Sequence, residues 1–218
     1  MSKGNTPGKF IALEGGEGTG KSTQGRLLAE ALRKTHGLDV VVTREPGGTP
    51  GAEAIRALLL APPGRGWNAQ SEALLFAAAR ADHVARLIRP KTLEGIWVIS
   101  DRFVDSSRAY QGAAGGLGDT TIQALHRFGS AGMRPDLTIL LEVDEVARRE
   151  RLAARDGDES DAIGGRSADY HDAVAMSFRT LANADPEGFR VVDGTGTPVE
   201  VHARVMGAIA PLLLDQAS

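Results

Sequence analysis

The residues Gly15-Gly16-Glu17-Gly18-Thr19-Gly20-Lys21-Ser22 fit the pattern GxxxxGK[ST], which couples a flexible glycine-rich turn to one ammonium and one hydroxyl. Such a loop can wrap its backbone N–H groups around phosphate oxygens. Lys21 would then reach the β- and γ-phosphates, and the Ser22 hydroxyl would coordinate Mg²⁺. Glu17 inside the loop is acidic and cannot stabilise a transferring phosphoryl group, so positive charge has to arrive from elsewhere. Arg155 and Arg166, in a polar stretch downstream, are the candidates; both also fit plain solvated arginines.

Two further groups could do chemistry. Thr43-Arg44-Glu45-Pro46-Gly47-Gly48-Thr49-Pro50 and Asp101-Arg102-Phe103, the latter followed by Ser106 to Gly112, each follow an apolar run and carry a basic and an acidic side chain. Phe76 and Arg80 stand four residues apart, on one face of a helix, where an aromatic ring and a guanidinium can meet one planar ligand. Read alone, such a phenylalanine is more often a core residue and such an arginine more often a solvated one.

The elements that must position these groups can be read from the apolar pattern. Lys9–Glu14, Asp39–Thr43, Ile96–Ser100, Leu137–Val143 and Phe189–Val192 are short apolar runs of the kind that form buried strands. A helix is expected from Lys21 to a stop at His36-Gly37, and others near Ala52–Leu60, Ser71–Leu87, Thr120–Phe128, Val143–Ala154, Tyr170–Ala182 and Pro198–Leu214. Strands alternating with helices predict an α/β fold, a parallel sheet of about five strands with helices on both faces. Ligands of such sheets bind at the C-terminal strand edge, where the charged pairs fall. Residues 155–169 are polar and glycine-containing, and read as a short mobile lid.

Composition sets outer bounds. The chain has 218 residues, 42% hydrophobic and 24% charged, which suits one domain spanning 1–218. A net charge of -3 argues against a nucleic-acid binder held by its overall field. With no cysteine, thiolate metal sites and cysteine nucleophiles are excluded. No apolar run suits a membrane span and MSKGNTPGKF lacks a secretory apolar core, so a cytoplasmic protein without a membrane partner is expected.

Taken together, the motifs resemble the thymidylate kinase family over nearly the whole chain. The resemblance is carried by Glu14 through Thr23, by Thr43 through Thr49, by Leu74-Leu75-Phe76-Ala77 with Arg80 and His83, and by Asp101-Arg102-Phe103 with Ser106, Ser107, Ala109, Tyr110, Gln111 and Gly112. Arg134-Pro135-Asp136 and the run after it resemble the family's fourth strand and its entry. It implies a P-loop NTPase fold and phosphorylation of dTMP to dTDP by ATP with Mg²⁺, in the dTTP pathway. It also implies ATP binding by Gly15 to Thr23 and a homodimer, for which Ser71–Leu87 and Thr120–Phe128 are the candidate contacts. Phe76 would stack on thymine, and Arg80, Ser107 and Gln111 would hydrogen-bond its edge. Tyr110 would close on the sugar. Glu45, Arg56 and Arg102 would position deoxyribose and acceptor phosphate, with Asp101 beside the Mg²⁺. The sequence departs from the family in the lid, which reads Asp161-Ala162-Ile163-Gly164-Gly165-Arg166, so whether Arg155 or Arg166 serves stays open. The alternatives are a kinase for another nucleoside monophosphate and a non-catalytic nucleotide switch.

Overall fold

The computed structural model describes residues 6–144, 147, 151 and 165–214. Five strands, β1 (Phe10–Glu14), β2 (Val40–Arg44), β3 (Trp97–Asp101), β4 (Leu137–Glu142) and β5 (Phe189–Asp193), form one parallel sheet in the order β2-β3-β1-β4-β5. Each lies within a residue or so of its expected run. Leu13 pairs with Asp101 on one side and Ile139 on the other, and Arg44 pairs with Asp101, so the strand ends that carry charge meet at one edge.

Parallel strands are apolar on both faces because helices cover both. Ile11 and Leu13 pack with Leu28 and Leu32 of α1 (Lys21–His36) and with Val205 and Ile209 of α8 (Pro198–Leu214). The alternate residues Phe10 and Ala12 face the other way, against Val84, Ile88 and Phe103. Val84–Ile88 is a π-helical turn that continues α3 (Ala69–His83) and leads into α4 (Arg89–Leu93). A third cluster joins Tyr110 and Leu140 to Val174 and Phe178 of α7 (Ala168–Ala184).

Helix boundaries follow local chemistry. Gly37, at φ 64°, ends α1. The Thr49 hydroxyl accepts the Ala52 N–H at 3.2 Å and Pro50 opens α2 (Pro50–Leu60), while Asn68 caps α3 through the Ser71 N–H at 2.8 Å. The remaining elements that bear on the site are α5 (Val104–Ser107), its π-helical continuation Arg108–Ala114, and α6 (Asp119–Ser130).

Two boundaries differ from the sequence reading. Val143 and Asp144 are not helical. Instead the Asp144 carboxylate accepts the Ala147 N–H at 2.7 Å, the bond of a cap rather than of a helix interior; most of the expected helix Val143–Ala154 lies outside the described residues. The expected lid, 155–169, also runs too far, because Ser167 accepts the Tyr170 N–H and α7 begins at Ala168. Residues 155–164, Arg155 included, lie outside the described residues.

Candidate active site

The phosphate loop spans the gap between β1 and α1 at the C-terminal edge of the sheet. Gly15 has φ 135°, and a Cβ there would stand 2.4 Å from the Leu141 carbonyl oxygen, so only glycine lets the loop lie against β4. Lys21 Nζ donates to the carbonyls of Gly15 (3.1 Å) and Gly16 (2.6 Å). Burial and then the nearby Arg102 guanidinium lower the Lys21 pKa to about 7, with Asp101 and Glu14 pulling it back up. This ammonium is short of negative charge, which a phosphate chain would supply.

The β1–β3 register brings Asp101 beside the loop, where Ser22 Oγ donates to Asp101 Oδ2 at 2.6 Å. The two oxygens form a hard-donor pair suited to Mg²⁺, which takes one or two protein oxygens and completes its shell with water and phosphate. Among the described residues, no group of three or more His, Cys, Asp or Glu side chains gathers as a metal cage, so a shared rather than all-protein site is what these residues fit.

Arg102 follows directly, in the left-handed region at φ 70°. Its guanidinium donates to the Gly15 carbonyl (3.0 Å), the Ser106 hydroxyl (3.1 Å) and the Tyr110 hydroxyl (3.3 Å), and lies 5.1 Å from the Tyr110 ring centre. Burial opposes its charge, but Tyr110 and the Glu14 and Asp101 carboxylates outweigh that and hold its pKa above the ordinary arginine range.

Glu45, Arg56, Phe76, Arg80, Arg102, Ser107, Tyr110 and Gln111 all line one cavity. Eight residues from five separate stretches of sequence thus converge. Glu17, Pro46, Leu60, Phe103 and Ser106 line it as well. Several of these side chains are already engaged. Arg80 Nε donates to Glu45 Oε2 at 2.7 Å and Arg80 Nη2 to Ser107 Oγ at 2.8 Å. Burial works to raise the Glu45 carboxyl, and Arg80 with His83 overcomes it, holding Glu45 below the usual carboxylate range.

An ionised Glu45 can only accept, so His83 Nδ1 donates to it at 3.1 Å, and His83 Nε2 shares a hydrogen bond with the Thr43 hydroxyl at 2.8 Å. Gly48 makes room for this chain, since a Cβ would lie 2.3 Å from Thr43 Oγ1 and 2.7 Å from His83 Nε2. Arg56 Nη1 donates to the Pro46 carbonyl at 2.8 Å, which fixes the turn after Glu45.

Behind Gln111, which lines the cavity, lie contacts that the sequence does not announce. Gln111 Nε2 donates to Glu72 Oε1 at 2.8 Å, and Arg166 donates to the other Glu72 oxygen and to the Tyr170 hydroxyl. Tyr170 in turn donates to the Tyr110 carbonyl at 2.7 Å. The structure therefore brings Arg166 to α3 and α7, and its guanidinium is engaged there rather than at the phosphate loop. Besides Arg102, the Arg151 guanidinium reaches the loop, where it spans the Gly18 (3.5 Å) and Thr19 (3.4 Å) carbonyls and the Gly194 carbonyl (2.8 Å). Nothing in the local sequence separates Arg151 from the chain's other arginines; the signal is entirely tertiary.

Comparison with known proteins gives the family. The family model for thymidylate kinase matches residues 13–205. A thymidylate kinase from Rhizorhabdus wittichii is 56% identical over 207 residues, 95% of this chain and 99% of that one, and one from Rhodopseudomonas palustris is 46% identical over 212 residues, 96% of this chain and 92% of the relative. The crystal structure of thymidylate kinase from Ehrlichia chaffeensis superposes with a TM-score of 0.76 at 32% identity, covering 93% of this chain and 100% of the other. With the phosphate loop and the paired strand ends at one sheet edge, and with likeness running along almost the full length, this chain belongs to the thymidylate kinase family.

Proposed function

We propose that the chain, acting as one domain, transfers the γ-phosphoryl group of ATP to dTMP, giving dTDP for the dTTP pathway. The observation that carries this reading is Arg102, whose one guanidinium touches both the phosphate loop at Gly15 and the cavity wall at Tyr110. A cation at that junction suits a reaction in which a donor phosphate chain meets an acceptor phosphate. In-line phosphoryl transfer asks mainly for alignment and for positive charge around the equatorial oxygens.

In this reading the loop Gly15 to Thr23 cradles the ATP phosphates, with Lys21 leaving the Gly15 and Gly16 carbonyls to meet them. Ser22 and Asp101 would hold Mg²⁺, which when bound neutralises charge on the phosphate oxygens. Arg102 and Arg56 orient the acceptor phosphate, and Glu45 holds Arg80 in place. A pyrimidine lying on Phe76 would meet Arg80, Ser107 and Gln111 at its edge. Glu72 takes the Gln111 amide N–H, which leaves the Gln111 carbonyl oxygen as the acceptor for a ring N–H. Tyr110, braced by Arg102, suits a sugar without a 2′-hydroxyl.

Of the two lid arginines, Arg166 is engaged by Glu72 and Tyr170 and suits a latch over the cavity. Arg155 is then the lid residue for the transferring phosphoryl group. The proposal includes a homodimer, supported by Leu74 on α3 (56% exposed) and Phe128 on α6 (94% exposed), on the two helices nominated by the sequence. It also keeps the cytoplasmic location and the absence of nucleic-acid and membrane partners; among the described residues, no helix is long and apolar enough to cross a membrane. Coupled ADP release measured with dTMP, dUMP, dCMP, dGMP and dAMP tests the reading. It is expected to be fastest with dTMP, and ATP binding without turnover on any monophosphate would overturn it in favour of a switch.

A further inference from the structure

We propose that Glu14 is a positioning residue for the phosphoryl-transfer step: it holds Arg102 in its working orientation through Ser106. Glu14 ends β1, is fully buried, and does not line the cavity. Its two oxygens have a defined task. Oε1 accepts the backbone N–H groups of Phe103 (2.8 Å) and Ser106 (3.0 Å), and Oε2 accepts the Ser106 hydroxyl at 2.6 Å. All three donors lie in the turn that begins just after Arg102.

This turn needs holding. A non-glycine residue at φ 70° carries backbone strain, and such a conformation persists only where its surroundings over-determine it. The Arg102 N–H is tied to the Leu13 carbonyl at 2.9 Å, and the Arg102 carbonyl accepts the Ser100 hydroxyl at 2.7 Å. Glu14 fixes the peptides that follow.

The same carboxylate also orients the side chain. A serine hydroxyl has one proton and two lone pairs. Because the Ser106 proton goes to Glu14, its lone pairs are free for Arg102 Nη1 at 3.1 Å. The relay from carboxylate to hydroxyl to guanidinium is directional. Glu14→Gln reverses it: the new amide N–H would compete with Arg102 for the Ser106 oxygen, while the remaining amide oxygen can still accept the two backbone N–H groups. Burial and the Asp105 carboxylate push the Glu14 pKa up to about 7, and the Ser106 hydroxyl, the Arg102 charge and the Phe103 N–H, all of which favour the carboxylate form, work against that rise.

The inference rests on the role proposed above for Arg102, so the test separates the two. The full chain and its variants Glu14→Gln, Ser106→Ala, Arg102→Ala and Glu14→Gln/Arg102→Ala are compared in steady-state and single-turnover kinetics, with melting temperature alongside. Glu14→Gln and Ser106→Ala are each expected to lower kcat about tenfold with KM for ATP within about twofold, and the double variant to be no slower than Arg102→Ala alone by more than about twofold. A crippled Arg102→Ala combined with a multiplicative further loss in the double variant overturns the positioning role and leaves the reading of Arg102 intact. Parent-like turnover in Arg102→Ala overturns both. Should Glu14→Gln fail to fold, Ser106→Ala decides, because it breaks the relay while leaving the buried carboxylate its two backbone donors; a parent-like kcat there overturns the proposal.

Discussion

Arg80 and Glu45, 35 residues apart in sequence, form an ion pair at 2.7 Å with side chains only 3% and 4% exposed. Removing one partner of such a pair leaves a charge buried without compensation, which typically costs about 3–5 kcal/mol. Glu45→Ala is therefore expected to lose that much stability in urea denaturation and to raise KM for dTMP, because Arg80 no longer faces Ser107 in a fixed orientation. Unchanged stability together with unchanged KM would show that the pair is dispensable.

Lys21→Ala removes the ammonium that meets the phosphate chain. Loss of one such charged group typically costs ~10²-fold or more in rate. Single-turnover kinetics with a matched circular-dichroism spectrum checks it, and near-parent turnover in the folded variant would refute the phosphate-loop assignment.

For Arg166 the sequence and the structure point to different kinetics. A guanidinium that acts only on the transferring phosphoryl group would show its loss in kcat. One that holds Glu72 and Tyr170, and through Glu72 the cavity-lining Gln111, would show it in acceptor binding. The structure favours the second, so Arg166→Ala is expected to raise KM for dTMP roughly tenfold, the effect of about one charge-assisted hydrogen bond, with kcat changed much less. Arg155→Ala should show the reverse pattern. Steady-state constants for both variants decide, and a pure kcat loss in Arg166→Ala would return that residue to the phosphoryl group.

His126 sets a pH dependence of stability. Its Nε2 donates to the Met133 carbonyl at 2.7 Å, and Nδ1 is buried without a partner among the described residues. Burial, then the Arg80 charge, lower its pKa from the ordinary 6.5 to about 4. The folded state thus keeps His126 neutral where the unfolded chain takes up a proton. Stability from this group is present above pH 6.5 and is lost as the pH falls toward 4. Urea denaturation at pH 7.5 and 5.0 should show His126→Gln losing about 1–2 kcal/mol less than the parent across that interval. Equal losses would mean that His126 is charged in the folded protein.

Phe128 tests the proposed dimer. A large aromatic side chain exposed on α6 and an exposed Leu74 on α3, two helices that pack on each other, suit an isologous contact. Light scattering at micromolar concentration should give a dimer for the parent and a shift toward monomer for Phe128→Glu. A parent chain that is only monomeric removes the dimer from the account.

The sequence by itself determined the parts whose information is local. The phosphate loop is legible because eight adjacent residues carry the backbone freedom, the ammonium and the hydroxyl together, and the strands because a segment covered on both faces must be apolar throughout. The strand-end pairs Arg44-Glu45 and Asp101-Arg102 follow from the same reading, since the sheet edge is where parallel strands deliver their next residues. Tertiary structure decided which charges meet. Glu72 stands 94 residues from Arg166 and 39 from Gln111, and Arg151 stands more than 130 residues from the loop carbonyls that it spans. Glu14, read as the last residue of a strand, becomes the anchor of a turn 89 residues away. No periodicity encodes such pairings, because a side-chain hydrogen bond depends on ångström-scale placement and direction, and these are set only when the helices pack onto the sheet.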